Sequence, residues 1–246
     1  MRKSSPIVTW ALGLSIVAPI LVGVGMLGAH GGFIPYDTAF GLIATKLAAG
    51  VAVLATIVAA AALFASFSNF ARQGATAIAA LVISLVTLAG EARYFLTVHA
   101  SVPVHDVSTN WEDPVGFSDH LMYLREGAEN PVEDDPRVPA SAGPPWGGMR
   151  VADVNAKTCP GAKAILHGFD PDKVESVLRA NGFQIAGSQV FLVEGVRTGT
   201  WFGVTDDIAV RIRPERTDIR IVRRNGLSDN GENCAMIVRI LQALNR

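Results

Sequence analysis

The chain has 246 residues, of which 50% are hydrophobic and 17% are charged, and its formal net charge is −1. A nearly neutral chain has no electrostatic reason to bind nucleic acid, and we expect no such partner. The charged residues are unevenly distributed, because almost all of them follow residue 90. This asymmetry predicts an apolar N-terminal part followed by a separate polar domain.

Three long apolar runs occupy the first hundred residues. The runs, which contain no formally charged side chain, are residues 7–29, 47–67 and 75–90. A helix that rises about 1.5 Å per residue needs roughly 20 apolar residues to cross a hydrocarbon core of about 30 Å. The first two runs reach this length alone, and the third reaches it if Glu91 and Arg93 lie near its outer end. The pattern predicts a three-helix transmembrane anchor in residues 1–99.

Basic residues predict how these helices are oriented. Arg2 and Lys3 precede the first run and Arg72 lies in the second turn, whereas the first turn, residues 30–38, has neither Lys nor Arg. Positive side chains favour the cytoplasmic side of a membrane. We therefore expect a three-pass protein of the bacterial inner membrane with a cytoplasmic N-terminus and a periplasmic C-terminal domain. Cleavage of the first run as a signal peptide is the alternative, although the run exceeds the roughly 7–15 apolar residues typical of such signals.

Small side chains and two charges indicate contacts of the second apolar run. A stripe of small residues lets a neighbouring helix approach closely, within this bundle or in a membrane protein partner. The stripe consists of Ala44, Ala48, Ala52, Thr56 and Ala60. Lys46 and Glu91 would lie at similar depth, so one hypothesis is an ion pair between antiparallel helices. The alternative is that Lys46 extends to the interface, where Glu91 already lies.

Residues 100–150 have the composition of an extended extracytoplasmic connector. Residues 101–126 are polar and show no clear period, and residues 127–150 are rich in proline and glycine. Four of their residues could be drawn as a metal site, but we favour surface polar side chains and expect neither a metal nor a cofactor. These residues are His105, Asp106, Asp119 and His120.

Residues 151–246 have the pattern of an α+β domain. Residues 171–181 predict a helix, with Asp170 as the N-cap and Gly182 at the C-terminal stop. Four strands then follow, at residues 183–186, 190–196, 208–213 and 218–223. A final apolar stripe predicts a helix that begins near Asp229. The expected fold is a helix, a four-stranded antiparallel sheet and a second helix.

Three segments of the polar part resemble a known family. Residues 201–203 read W-F-G before T-D-D-I-A-V-R-I at 205–212, and residues 228–233 read S-D-N-G-E-N. Both resemble the family called domain of unknown function 1499. Residues 104–110, V-H-D-V-S-T-N, are similar to the stretch after the membrane anchor in its longer bacterial members. The resemblance spans roughly residues 103–245 and implies a membrane setting, without an activity or a cofactor.

The best candidate site is a basic face at which strand arginines would meet the start of the last helix. The candidates are Arg211, Arg213, Arg220, Arg224, Gly231 and Asn233. Guanidinium groups and free backbone N–H groups suit phosphate or carboxylate, so an anionic membrane lipid or envelope polymer is the expected ligand. The alternative is a surface on which Asp206, Asp207 and Asp218 pair with these arginines.

The expected function is a binding or assembly module, with two alternatives. One is an accessory subunit of a membrane complex, and the other is a hydrolase that uses Asp206, Asp207 or Asp229 as a catalytic carboxylate. Cys159 and Cys234 could form a disulfide if the domain lies in an oxidising compartment. Cys234 fits equally well as a small core residue of the last helix.

Overall fold

The computed structural model describes residues 5–246, apart from the side chains of residues 98–100. Arg2 and Lys3, which carry part of the orientation prediction, lie outside the described residues. The chain divides into two compact units. The first comprises the residues up to His99 together with Thr200–Gly203, and the second comprises Ala100–Gly199 and Val204–Arg246.

The N-terminal part of the first unit is helical and apolar. Helix α1 spans Pro6–His30. A π-helix (Asp37–Leu47), α2 (Ala48–Ser66), a 3-10 turn (Phe67–Asn69) and α3 (Phe70–Ala100) follow one another directly. By length and composition two helical segments could cross a membrane, Pro6–His30 and the 61-residue segment Asp37–Thr97. These are two separate helical segments and not the predicted three, because the expected turn at residues 68–74 remains helical.

The 61-residue segment folds back on itself. Ala59 of α2 and Ala80 of α3 belong to one buried cluster with Val8 and Ala11, which are one turn apart in α1. A straight helix would separate Ala59 from Ala80 by about 30 Å, too far for both to reach one turn of α1. Helices α2 and α3 are therefore the arms of a hairpin that small side chains allow to pack closely.

The stripe of small residues is used inside this unit. Ala44 is 3% exposed, and Ala48 and Ala52 are fully buried. A Cβ atom built on Gly25 of α1 would lie 3.4 Å from the Ala44 Cβ, which shows how closely the two helices approach. The stripe therefore does not offer these three residues to a partner helix, contrary to one of the two predictions. Ala60 is half-buried.

The second unit contains a five-stranded antiparallel sheet, not the predicted four-stranded one. The strands are β1 (Asp106–Ser108), β2 (Gln184–Gln189), β3 (Leu192–Thr198), β4 (Thr205–Arg213) and β5 (Arg216–Arg223). The helices are α4 (Asp119–Leu124), α5 (Val151–Thr158), α6 (Pro171–Ala180) and α7 (Glu232–Leu244), and Ala140–Ala142 form a 3-10 turn. The strand order is β1-β5-β4-β3-β2. The additional strand, β1, has only three residues and no period of its own, and its pairing with β5 is distant in sequence.

One face of the sheet carries the core. Val174 and Leu178 of α6 and Ile237 of α7 pack with Ile208 and Ile219 from the two central strands. Helix α6 starts as predicted, because the Asp170 side chain accepts a hydrogen bond from the Asp172 backbone N–H at 2.9 Å. Both helices thus lie on the same face of the sheet, and their apolar stripes are buried there.

Residues 100–150 belong to the second unit and are not a separate connector. Val104 and Val138 form a small buried cluster with Val151 and Val154. The Asn130 side-chain nitrogen donates to the backbone oxygens of Arg223 and Gly226, at 3.0 and 2.9 Å. The backbone of this segment is largely irregular, as its proline and glycine content indicated. The prediction that it is an extended connector outside the domain was wrong.

Candidate functional site

The predicted arginines do meet on one face of the sheet. In the register of β4 and β5, Arg211 lies opposite Asp218, and Ala209 lies opposite Arg220. Side chains alternate along a strand, so Arg211, Arg213 and Arg220 project from the face opposite α6 and α7. The backbone N–H of Arg224 donates to Thr205 at 2.8 Å, which extends the ladder by one residue. We call this surface the arginine face.

Arg220 lies at the centre of the arginine face and is fully buried. Its guanidinium donates two hydrogen bonds to Asp106 of β1, at 3.0 and 2.6 Å. The ring of Trp111 lies 5.5 Å from its central carbon. Asp106 is itself 1% exposed, so the prediction that it is a surface polar residue is wrong. It is the counter-charge of a buried arginine.

Asp207 joins two further arginines. Arg224 donates two hydrogen bonds to the Asp207 carboxylate, at 2.8 and 2.7 Å. Arg125, the residue that follows α4, donates to the same carboxylate. Asp207 is fully buried. Burial lowers the pKa of Arg125, while the charge of Asp207 opposes that shift.

The remaining arginines pair near the end of β4. Asp218 is fully buried and accepts from Arg211 at 3.0 Å and from Arg216 at 2.7 Å. The exposed Asp113 accepts from Arg213 at 2.7 Å and from Arg211 at 3.2 Å. The hydrogen bond from Arg213 lowers the pKa of Asp113.

The arginine face is thus an ion-pair network. An external anion could bind these arginines only by displacing one of their carboxylate partners. That displacement would cost much free energy, because the displaced carboxylate would be left as an uncompensated charge in a medium of low dielectric constant. The predicted anion site is not supported by this geometry. Pairing of the arginines with Asp207 and Asp218, the alternative weighed above, is what the structure contains.

The helix start that was predicted to complete this site lies elsewhere. Helix α7 packs on the apolar face, so Gly231 and Asn233 are on the other side of the sheet from Arg211. The Gly231 backbone N–H donates to the Asp229 carboxylate at 2.7 Å. The Asn233 side chain is fully buried and donates to the His105 backbone oxygen at 3.3 Å. Neither residue is presented to an anion.

A second network lies beside the start of α7. Asp206 accepts from Arg223 at 2.8 Å and from Arg197 at 2.8 Å, and Arg223 also donates to Glu232 at 2.6 Å. Burial alone would lower the pKa of Arg223, but the hydrogen bonds and charges of Asp206 and Glu232 outweigh burial and raise it. Asp206, one of the three carboxylates considered for catalysis, is therefore an ion-pair partner.

Asp229 is the most perturbed carboxyl group of the second unit. It is 1% exposed, and its Oδ2 is buried with no hydrogen-bond partner among the described atoms. Burial raises the pKa of Asp229 to about 6, although the Gly231 hydrogen bond and the Arg223 charge act in the opposite direction. The nearby segment has a similar feature, since burial lowers the pKa of His105 and the His105 Nδ1 is buried without a partner.

The two cysteines are joined in a disulfide. Cys159 follows α5 and Cys234 lies in the first turn of α7, and their Cα atoms are 5.7 Å apart. The bond links residues separated by 75 positions. Both residues also contact the core of the apolar face, so the two interpretations of Cys234 are compatible.

Lys46 and Glu91 do not form the hypothesised ion pair. Within residues 5–246 no carboxylate oxygen of an acidic residue lies within 4 Å of the Lys46 amine. Lys46 is exposed and Glu91 is half-buried. The similar depth inferred from sequence was insufficient, because the rotation of each helix about its axis decides which side chains meet.

Sequence reasoning missed the carboxylates and the arginine that complete the arginine face. Asp106, Asp113 and Arg125 all come from residues 100–150, where no period was found. The available signal was the family resemblance of residues 104–110, which places this stretch within the family's sequence pattern.

The comparisons with known proteins agree with these boundaries. The family model described as a protein of unknown function (DUF1499) matches residues 106–244. The match begins at the first residue of β1 and ends at the last residue of α7. No curated protein and no solved structure matches the chain. Because the family model covers more than half of the sequence and the whole of the five-stranded sheet, this protein belongs to the DUF1499 family.

Proposed function

We propose that this chain is anchored in the bacterial inner membrane and that its second unit is a periplasmic binding or assembly module. The observation that carries the proposal is the Cys159–Cys234 disulfide. Disulfides persist in oxidising compartments such as the periplasm and are rare in the cytosol. A polar unit that holds one, and that follows in sequence two helical segments long enough to cross a membrane, fits the extracytoplasmic side.

Because the second helical segment is a hairpin, the two segments would make three passes and place the two ends of the anchor on opposite sides of the membrane. Helix α1 has 25 residues and α3 has 31, and the π-helix with α2 forms the other arm of the hairpin. Each is long enough to span roughly 30 Å of hydrocarbon. Arg72 lies next to the bend of the hairpin, and the chain begins with Arg2 and Lys3, so the positive-inside tendency supports a cytoplasmic N-terminus.

The three carboxylates considered for catalysis already have partners within the fold, which favours a binding role over catalysis. Asp206 and Asp207 each hold two arginines, and one oxygen of Asp229 accepts from the Gly231 N–H. A catalytic carboxylate has to reach a substrate, whereas all three groups are at most 2% exposed. These engagements support structural duties for the three residues and oppose the hydrolase alternative.

A second candidate function, an accessory subunit of a membrane complex, is favoured by exposed apolar side chains. Val190 and Phe191 form the turn between β2 and β3 and are 81% and 61% exposed. Leu166, 80% exposed, lies at the same end of the sheet, because its neighbour Ile165 pairs with Thr217. Apolar side chains grouped at one end of a domain are typical of protein contacts. A co-purifying membrane protein that is lost in Val190→Ser/Phe191→Ser, but kept in Met122→Ser, would identify this role.

The topology is tested with cells that produce the full chain. Alkaline phosphatase, which is active only in the periplasm, should be active when fused after Arg246 and inactive when fused after Arg72. In the same cells, thiol labelling should find Cys159 and Cys234 oxidised until a reductant is added. Free thiols in untreated cells, together with an inactive fusion after Arg246, would place the second unit in the cytoplasm and overturn the proposal.

A further inference from the structure

An apolar groove of about 570 Å³ lies within the first unit, between the π-helix and the last turns of α3. Phe40 and Thr45 line it from one side, and Leu88, Glu91 and Ala92 from the other. Glu91 is the one carboxylate among the described residues that line the groove. Helices that could be embedded in a membrane thus enclose an apolar volume with a single acidic group. This combination indicates an amphipathic ligand with a positive group.

Aromatic residues line the groove together with this carboxylate. The Phe40 ring meets the Tyr94 ring edge-on at 5.1 Å and stacks on the Tyr36 ring at 5.3 Å. Phe40 and Tyr94 both line the groove with Glu91. Aromatic faces next to a carboxylate attract ammonium groups through the ring quadrupole and the opposite charge. Phe40 also belongs to the π-helix, a rare conformation that is frequent at functional sites.

Two basic residues each lie one position beyond a residue that lines the groove. Lys46 follows the lining residue Thr45, and Arg93 follows the lining residue Ala92. Both are exposed, and in the described part of the chain neither forms an ion pair with an acidic residue. Glu91 lies roughly 32 Å along α3 from Phe70, at about the spacing of the two headgroup regions of a bilayer. An ammonium next to a phosphate would match this arrangement of charges.

We propose that the groove binds an aminophospholipid of the phosphatidylethanolamine class. The ammonium contacts Glu91 and the rings of Phe40 and Tyr94, the phosphate is held by Lys46 and Arg93, and an acyl chain occupies the apolar volume. This inference rests on the proposed membrane anchoring. It differs from the expected anionic lipid on the arginine face, because those arginines have carboxylate partners, whereas the amine of Lys46 has none among the described residues.

The experiment is native mass spectrometry of the full chain from nanodiscs that contain equal amounts of phosphatidylethanolamine and phosphatidylglycerol. We expect phosphatidylethanolamine to be retained preferentially by the wild type. The Glu91→Gln variant keeps the shape of the side chain and removes its charge, so retention should fall about tenfold, which corresponds to one charged contact. Ala92→Leu, which fills the groove with bulk, should reduce retention of both lipids. Glu126→Gln changes an exposed carboxylate of the second unit and should behave as the wild type.

Several outcomes would overturn this inference. They are equal retention of the two lipids, preference for phosphatidylglycerol, or retention that Glu91→Gln leaves unchanged while the variant keeps the wild-type elution volume. Added decylamine that competes as strongly as phosphatidylethanolamine would identify a small amine as the ligand instead of a phospholipid. The proposed anchoring is scored separately, because a chain that carbonate washing releases from membranes would refute it before any lipid is measured.

Discussion

The two faces of the sheet in the second unit are stabilised by different physical effects. On one face, α6 and α7 bury aliphatic side chains such as Leu178 and Ile237. On the other, buried arginines pair with carboxylates from residues distant in sequence, as Arg220 does with Asp106. Both faces are covered, yet only the first gains free energy mainly from the removal of apolar surface from water.

The two faces should differ in how much stability the protein loses when one of their residues is substituted. An aliphatic core loses stability in proportion to the atoms removed and to the cavity that remains. In a buried ion pair, the attraction between the charges does little more than offset the free-energy cost of removing them from water. Removal of one partner leaves the other charge buried and uncompensated. The arginine face should therefore be sensitive to single substitutions and tolerant of matched double ones. The following predictions examine that contrast from the largest expected effect to the smallest.

The largest effect is expected for Asp106→Ala. The variant leaves the fully buried Arg220 without its carboxylate, and the free energy of unfolding should fall by about 3–5 kcal/mol. Urea unfolding of the full chain in detergent, followed by tryptophan fluorescence, measures the change. The control is the double variant Asp106→Leu/Arg220→Met, which removes both charges and should be more stable than Asp106→Ala. A double variant that is less stable would contradict this account of the arginine face.

A smaller loss is expected on the apolar face for Leu178→Ala. The side chain is fully buried between α6 and the sheet, and its truncation should lower the free energy of unfolding by about 3 kcal/mol. The same urea titration applies. Leu166→Ala removes the same atoms from a side chain that is 80% exposed and should leave the midpoint unchanged. Equal losses in the two variants would show that α6 is not packed as described.

The third prediction concerns pH and Asp229, whose pKa is raised to about 6 by burial. A folded-state pKa above the unfolded value means that the folded state binds the proton more tightly, so stability rises as the pH falls through 6. Between pH 7 and pH 5 the wild type should gain about 1 kcal/mol relative to Asp229→Asn. The difference between the two proteins is the measured quantity, because the lowered pKa of His105 acts in the opposite direction in both. A difference that does not change with pH would show that Asp229 does not titrate in this range.

The smallest effect is expected for Asp113→Asn. Asp113 is exposed and pairs with Arg213 and Arg211, while Arg211 keeps Asp218 as a second partner. Exposed ion pairs contribute little and are screened by salt. The urea midpoint at 150 mM salt should equal that of the wild type. A loss comparable to that of Asp106→Ala would show that exposed and buried pairs of this face are energetically equivalent.

Local patterns predicted the elements whose signals are local. Helix α6 was predicted with Asp170 as its N-cap and Gly182 at its C-terminal stop, and Arg211 and Arg213 were predicted to lie on one basic face. Strand β1 could not be predicted in this way, because three residues carry no period and their partner lies more than a hundred residues further along the chain.

Pairings between distant residues account for the other errors. Arg220 is two positions from Asp218 in the sequence, yet in the structure it pairs with Asp106. Arg220 and Asp106 belong to the neighbouring strands β5 and β1 and face the same side of the sheet. The anion site failed for a related reason. Which face of the sheet α7 covers is a property of the topology, and no local pattern around Gly231 or Asn233 specifies it.

The disulfide has a consequence for the order of events during synthesis. With two cysteines in the chain, one intramolecular pairing exists, so the bond cannot be scrambled within a molecule and needs no isomerase to correct it. Cys159 nevertheless emerges 75 residues before its partner, an interval of several seconds at about 5–20 residues per second. During that interval Cys159 has no cysteine partner in the part of the chain that has been made. The disulfide can form only once α7 has been made, because this helix supplies Cys234. The same helix also supplies the last apolar layer of the core.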